Sequence, residues 1–113
     1  KNFKLIFLLY ITVSSEFHVY KLEWTAEKMT FSVDNVAHYI YNPPVKDAST
    51  WPFNSDQYLL LNVAIQSSIA SSFTSSAMEI DYIRIYQYQT NENTKYLTKI
   101  IEMKFCILKR FEN

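Results

Sequence analysis

The sequence predicts an all-β, antiparallel protein, and three observations carry that expectation. Two strongly β-patterned runs, Tyr58–Gln66 and Met78–Tyr86, follow one another across a serine-rich connection. Aromatic residues make up 17% of the chain, a share that favours strands and flat binding surfaces over helices. Upstream, Met29–Val33 and Val36–Tyr41 flank Asp34-Asn35, two residues that tolerate the left-handed conformation a tight hairpin turn requires.

Taken in order, Lys1 and Lys4 precede an apolar run that ends at Val13 and is followed by two serines. A basic start, a short apolar stretch and small residues fit a secretory signal peptide over residues 1–15, and with it a secreted or extracellular location. The other reading of that run is an ordinary buried strand; it is too short for a membrane-spanning helix. In Phe17–Trp24, His18, Tyr20, Leu22 and Trp24 fall on one side of the pleat. Thr25–Lys28 makes a turn, and the hairpin of residues 28–34 and 36–41 follows. Pro43, Pro44 and Pro52 mark residues 42–55 as a loop. The expected strands are therefore 17–24, 28–34, 36–41, 57–66 and 77–87. Beyond the polar run after Gln87, Leu97, Ile101, Phe105 and Leu108 repeat at helical spacing, which predicts a short C-terminal helix within a tail of residues 89–113.

Composition narrows the function. A chain of 113 residues forms at most one domain, and equal numbers of basic and acidic residues give non-specific nucleic-acid binding no electrostatic support. The one cysteine, Cys106, excludes an internal disulfide. The chain has no glycine, so a glycine-rich phosphate loop is excluded. For an all-β chain this absence is unusual, and it suggests a diverged or incomplete version of something larger. Nothing in the pattern points to firm membrane association.

The motifs FHVYKLEWTAEKMTFSVDN, WPFNSDQYLLLNVAIQ and MEIDYIRIYQ occur in that order. Over residues 16–88 they resemble the C-terminal part of glycoside hydrolase family 16, laminarinase-type β-glucanases in particular. Departures are Asn35 in place of the hairpin glycine, and Gln66-Ser67 where many members carry glycines. The resemblance implies a partial jelly-roll sandwich of the concanavalin A-like lectin and glucanase type, a β-glucan ligand, and O-glycosyl hydrolase chemistry of the endo-β-1,3-glucanase kind.

Such chemistry needs two carboxyl groups roughly 5 Å apart in a retaining enzyme. In the family they lie on a strand preceding FHxY, so no catalytic residue is expected in this chain, which alone is expected to be inactive. No cofactor is required. Glu79-Ile80-Asp81 imitates half of the catalytic motif, but Ile83 and Arg84 stand where a second glutamate would be. The resemblance matches this run to the closing strand, where Asp81 either serves a structural calcium site or is satisfied by neighbouring side chains.

Tyr20 and Asn62 match positions lining the cleft; otherwise Asn62 is a core amide bonded to backbone. Gln66 shares a strand face with Asn62 at period two. His18 shares the face of Tyr20 and is either a site residue or a packed one. Trp51 either stacks on a sugar ring or, with Phe53, pins the proline loop. Two functions remain open besides the partial enzyme: a non-catalytic carbohydrate-binding module, and a non-functional remnant. With only part of a sandwich present, exposed strand edges are expected to pair with another chain or to lower solubility.

Overall fold

The computed structural model describes residues 14–89 and 97–111, so the proposed signal segment falls almost wholly outside the described residues. The described chain is all-β: β1 (His18–Trp24), β2 (Met29–Val33), β3 (Val36–Tyr41), β4 (Phe73–Gln89) and β5 (Leu97–Phe111). They form one antiparallel sheet in the order β3-β2-β1-β5-β4.

Local chemistry explains the first three strands. Between β1 and β2, the Thr25 hydroxyl accepts hydrogen bonds from the backbone N–H of Glu27 (3.2 Å) and Lys28 (3.1 Å). Between β2 and β3, Asp34 (φ 49°) and Asn35 (φ 66°) both occupy the left-handed region, and Val33 pairs directly with Val36. This is the two-residue turn whose twist matches the flanking strands, made here with Asp and Asn in place of glycine.

Two expected elements are corrected. The tail is strand β5, not a helix. Ile101, Met103, Phe105 and Ile107 alternate along one face of it, opposite Ile85, Ile83, Ile80 and Met78 of β4. The apolar residues thus satisfy a period of two as well as the helical one, and pairing with both β1 and β4 decides in favour of the strand. Tyr58–Gln66 belongs to no strand and is exposed throughout; Tyr58 is 84% and Leu60 77% accessible.

The β4–β5 ribbon sets the shape. The chain extends 60 × 29 × 24 Å, and a 17-residue strand rising about 3.3 Å per residue accounts for nearly all of the long axis. The buried apolar core is correspondingly small: Met29, Val33, Trp51 and Cys106 among the described residues.

Candidate functional site

Strand alternation sorts the side chains onto two faces. His18 pairs with Phe105, Tyr20 with Met103 and Val33, and Leu22 with Ile101 and Phe31. Directly opposed residues share a face, so His18, Tyr20, Leu22 and Trp24 lie with Phe105 and Ile107 on one side of the sheet. Glu23, opposite Thr30 and Ile100, lies on the other.

Tyr20 is half-buried and its ring stacks on Phe105, centroids 4.1 Å apart and planes 17° from parallel. His18 is buried and meets Tyr20 edge-on at 6.5 Å. Its Nδ1 lies 2.6 Å from Asp34 Oδ2. The other Asp34 oxygen accepts the backbone N–H of Val19 at 2.9 Å, while the Asp34 N–H donates to the Val19 carbonyl at 2.8 Å. Burial pushes the Asp34 carboxyl up. The bond from Val19, the bond and charge of His18, and the Lys104 ammonium outweigh it and hold the group below the usual aspartate value.

An open groove of about 520 Å³ runs along the far end of the same face. Asn62, Gln66 and Ile69 line it on the irregular segment, with Phe73, Ser76 and Ile107 on the β4–β5 ribbon. Asn62 and Gln66 therefore come together at one groove, while His18 and Tyr20 form a second cluster farther along that face. Phe105 and Ile107, two positions apart on β5, connect the two.

Trp51 is placed elsewhere. It is 4% exposed, stacks on Tyr41 at 5.9 Å with planes 10° apart, and receives Phe53 edge-on at 5.3 Å. Asp47 builds the turn that delivers it. One carboxylate oxygen accepts from Ser49 N (2.9 Å), Ser49 Oγ (2.6 Å) and Thr50 N (3.1 Å), and the Trp51 N–H donates to the Asp47 carbonyl at 2.7 Å. The Tyr41 hydroxyl closes the arrangement by donating to the Thr50 carbonyl at 2.6 Å. The Tyr41 contact holds the proline loop against the hairpin, and the Phe53 contact lies within the loop.

Asp81 lies in a β-bulge of β4, where the register against β5 slips between Ile80 and Tyr82. Its Oδ2 is 3.6 Å from the Lys104 ammonium. Among the described residues no three His, Cys, Asp or Glu side chains gather in a way that could hold a metal ion. An ammonium stands beside the one carboxylate a cation would use, so these residues do not fit a calcium ion at Asp81. Glu79 opposes the buried Cys106, away from the face of Tyr20. Burial, and then the Glu79 charge, push the Cys106 thiol up.

Two partners of the site residues escape sequence reasoning: Phe105, which stacks on Tyr20, and Asp34, which holds His18. Asp34 was recoverable, because a two-residue turn after Val33 sets it opposite Val19. Phe105 was hidden in the tail assigned to a helix.

The described chain is an antiparallel β-sheet protein, and comparison with known proteins supplies the family. The sequence profile of glycosyl hydrolases family 16 matches residues 4–84, and the chain belongs to that family. It is 28% identical over 88 residues to a β-glucanase of Rhodothermus marinus, covering 68% of this chain and 31% of that protein. A keratan-sulfate endo-1,4-beta-galactosidase of Sphingobacterium multivorum is 27% identical over 94 residues, covering 78% of this chain and 22% of that protein. A glucan endo-1,3-beta-glucosidase A1 of Niallia circulans is 26% identical over 90 residues, 69% of this chain and 13% of the relative. The chain thus spans about a third or less of these relatives. No solved structure matches it at comparable significance.

Proposed function

We propose that this chain is part of a secreted β-glucan endo-hydrolase of the laminarin-cleaving kind, with the catalytic carboxylates carried by residues outside these 113. The family match carries the reading: it spans residues 4–84 and includes Tyr20 and Asn62. Two of the three relatives described above are named for glucan hydrolysis, which favours a glucan over a galactan.

The carboxylates on the described strands argue against an active site within the chain. Asp34 is committed to His18 and Val19. Asp81 faces Lys104, and Glu79 and Glu23 lie on the face away from Tyr20. Tyr20, His18, Asn62 and Gln66 are the residues we assign to sugar contact, and Trp51 supports them by fixing the loop. Hydrolysis by two carboxyl groups needs no cofactor.

A second reading, non-catalytic glucan binding, is favoured by the groove at Asn62 and Gln66. Its lining joins the apolar Ile69, Phe73 and Ile107 with the residues Asn62 and Gln66, a mixture that suits the mixed faces of a sugar. Affinity electrophoresis through laminarin tests sugar contact in both readings. Retarded migration that weakens several-fold in Tyr20→Ala and in Asn62→Ala is expected. A parent chain that migrates unretarded would remove glucan binding from this chain, and unchanged retardation in both variants would remove those residues from the site.

A further inference from the structure

Strand β5 lies beyond residues 4–84, the stretch matched by the family profile, yet it supplies the ring against which a site residue rests. Across the β1–β5 ladder Tyr20 pairs with Met103, and His18 with Phe105. Phe105 is therefore the diagonal neighbour of Tyr20 on the same face, a separation that aromatic side chains span. The two rings meet in a stack, centroids 4.1 Å apart and planes 17° from parallel.

Phe105 is flanked on both sides, by His18 on β1 and by Ile80 on β4. The bulge at Asp81 maintains that row. In a regular strand Ile80 and Ile83, an odd number of residues apart, would point to opposite faces. The register slip between Ile80 and Tyr82 brings both to one face, opposite Phe105 and Met103. Tyr20 in turn is touched twice: Phe105 covers one face of its ring, and His18 meets it edge-on with planes 82° apart. His18 is itself fixed by Asp34 at 2.6 Å. A ring held in this way has lost its rotamer freedom before a ligand arrives, which lowers the ordering cost of binding.

We propose that Phe105 is a positioning residue of the sugar site: it acts through Tyr20, holding the phenol ring in the orientation that meets a β-glucan. The inference rests on the reading of Tyr20 as a glucan contact, and it adds a residue that the family motifs do not carry. The flat stack is what matters, because aromatic pairs contribute beyond the area they bury. An aliphatic side chain at the same position fills the row between His18 and Ile80 but leaves the Tyr20 ring free to turn.

Affinity electrophoresis of the 113-residue chain through laminarin tests the role, with circular dichroism confirming the fold of each variant. Phe105→Leu removes the stack and is expected to weaken retardation about threefold or more. Phe105→Tyr keeps the stack and is expected to migrate as the parent does. In a Tyr20→Ala background Phe105→Leu is expected to add no further loss, since the two residues act as one unit. If Phe105→Leu does not fold, Phe105→Met takes its place, with flexible apolar bulk to fill the row. Unchanged retardation in Phe105→Leu, an equal loss in Phe105→Tyr, or a full further loss in the Tyr20→Ala background would overturn the proposal and leave glucan binding standing. A parent chain that migrates unretarded overturns glucan binding itself and the role of Phe105 with it, so the two failures are told apart.

Discussion

The imidazole of His18, on the first strand, lies 2.6 Å from the carboxylate of Asp34, in a turn sixteen residues later. The contact does two things at once. It fixes the ring beside Tyr20, and it ties the tip of the β2–β3 hairpin back to β1, because the same carboxylate accepts the Val19 N–H.

Asp34 therefore makes stability depend on pH on the acid side. Its carboxyl is held below the ordinary value, so the unfolded chain takes up a proton first as pH falls. The contribution is complete above about pH 4, the unfolded aspartate value, and is lost as pH drops through the lower folded value. Asp34→Asn keeps a residue suited to the left-handed turn while removing the charge. It is expected to cost about 1 kcal/mol at neutral pH, given the partial exposure of the carboxylate. Urea unfolding from pH 3 to 7 should show a flatter acid limb in the variant; identical slopes would show that the pair contributes nothing.

Asn35, at φ 66°, pays a steric cost that a β-branched residue would raise. Asn35→Val is expected to destabilise the hairpin by about 1–2 kcal/mol, and Asn35→Gly to be neutral or mildly stabilising. Thermal melts of both variants distinguish this from a turn held by the Lys21–Asn35 contact at 3.2 Å, in which case Gly would be the worse substitution.

Trp51 unites the proline loop with β3 through Tyr41 and with Phe53, which in turn meets Trp24 edge-on at 6.4 Å. Trp51→Ala is expected to cost roughly 3–5 kcal/mol, and Trp51→Phe clearly less. Chemical denaturation reads the difference. Loss of glucan retardation in Trp51→Ala without loss of stability would instead place the indole in direct contact with sugar.

On catalysis, the chain alone is expected to release no reducing sugar from laminarin or mixed-linkage glucan. A retaining site requires two carboxyl groups facing one bond, whereas Glu79 and Asp81 lie away from Tyr20 and one of them is paired with Lys104. Glu79→Gln is the control: activity in the parent that disappears in the variant would make the Glu79-Ile80-Asp81 run an active site.

The hairpin and β1 were legible because their signals are local. Turn residues at Thr25 and Asp34-Asn35 punctuate period-two runs, and the strands fall within one residue of their expected ends. Two elements were not legible, because partners settled them. Ile101, Met103, Phe105 and Ile107 suit a strand while Leu97, Ile101, Phe105 and Leu108 suit a helix, and only β1 and β4 decide between them. Tyr58–Gln66 has strand composition, yet pattern supplies no neighbour to hydrogen-bond with. The candidate site divides the same way: Tyr20 and Asn62 were named from motif positions, Gln66 from the period of a strand that does not form, and Asp34 and Phe105 act through contacts distant in sequence.

Among the described strands β5 comes last in sequence but lies between β1 and β4 in the sheet. During synthesis the β1–β3 meander can close early, since its contacts are local, but β4 emerges with no strand to join. Until residues 97–111 leave the ribosomal tunnel, β1 and β4 lack the strand that joins them among the described residues. Among the described strands β5 thus works as a keystone: it is made after the two elements it separates, and it locks the meander and β4 into one sheet.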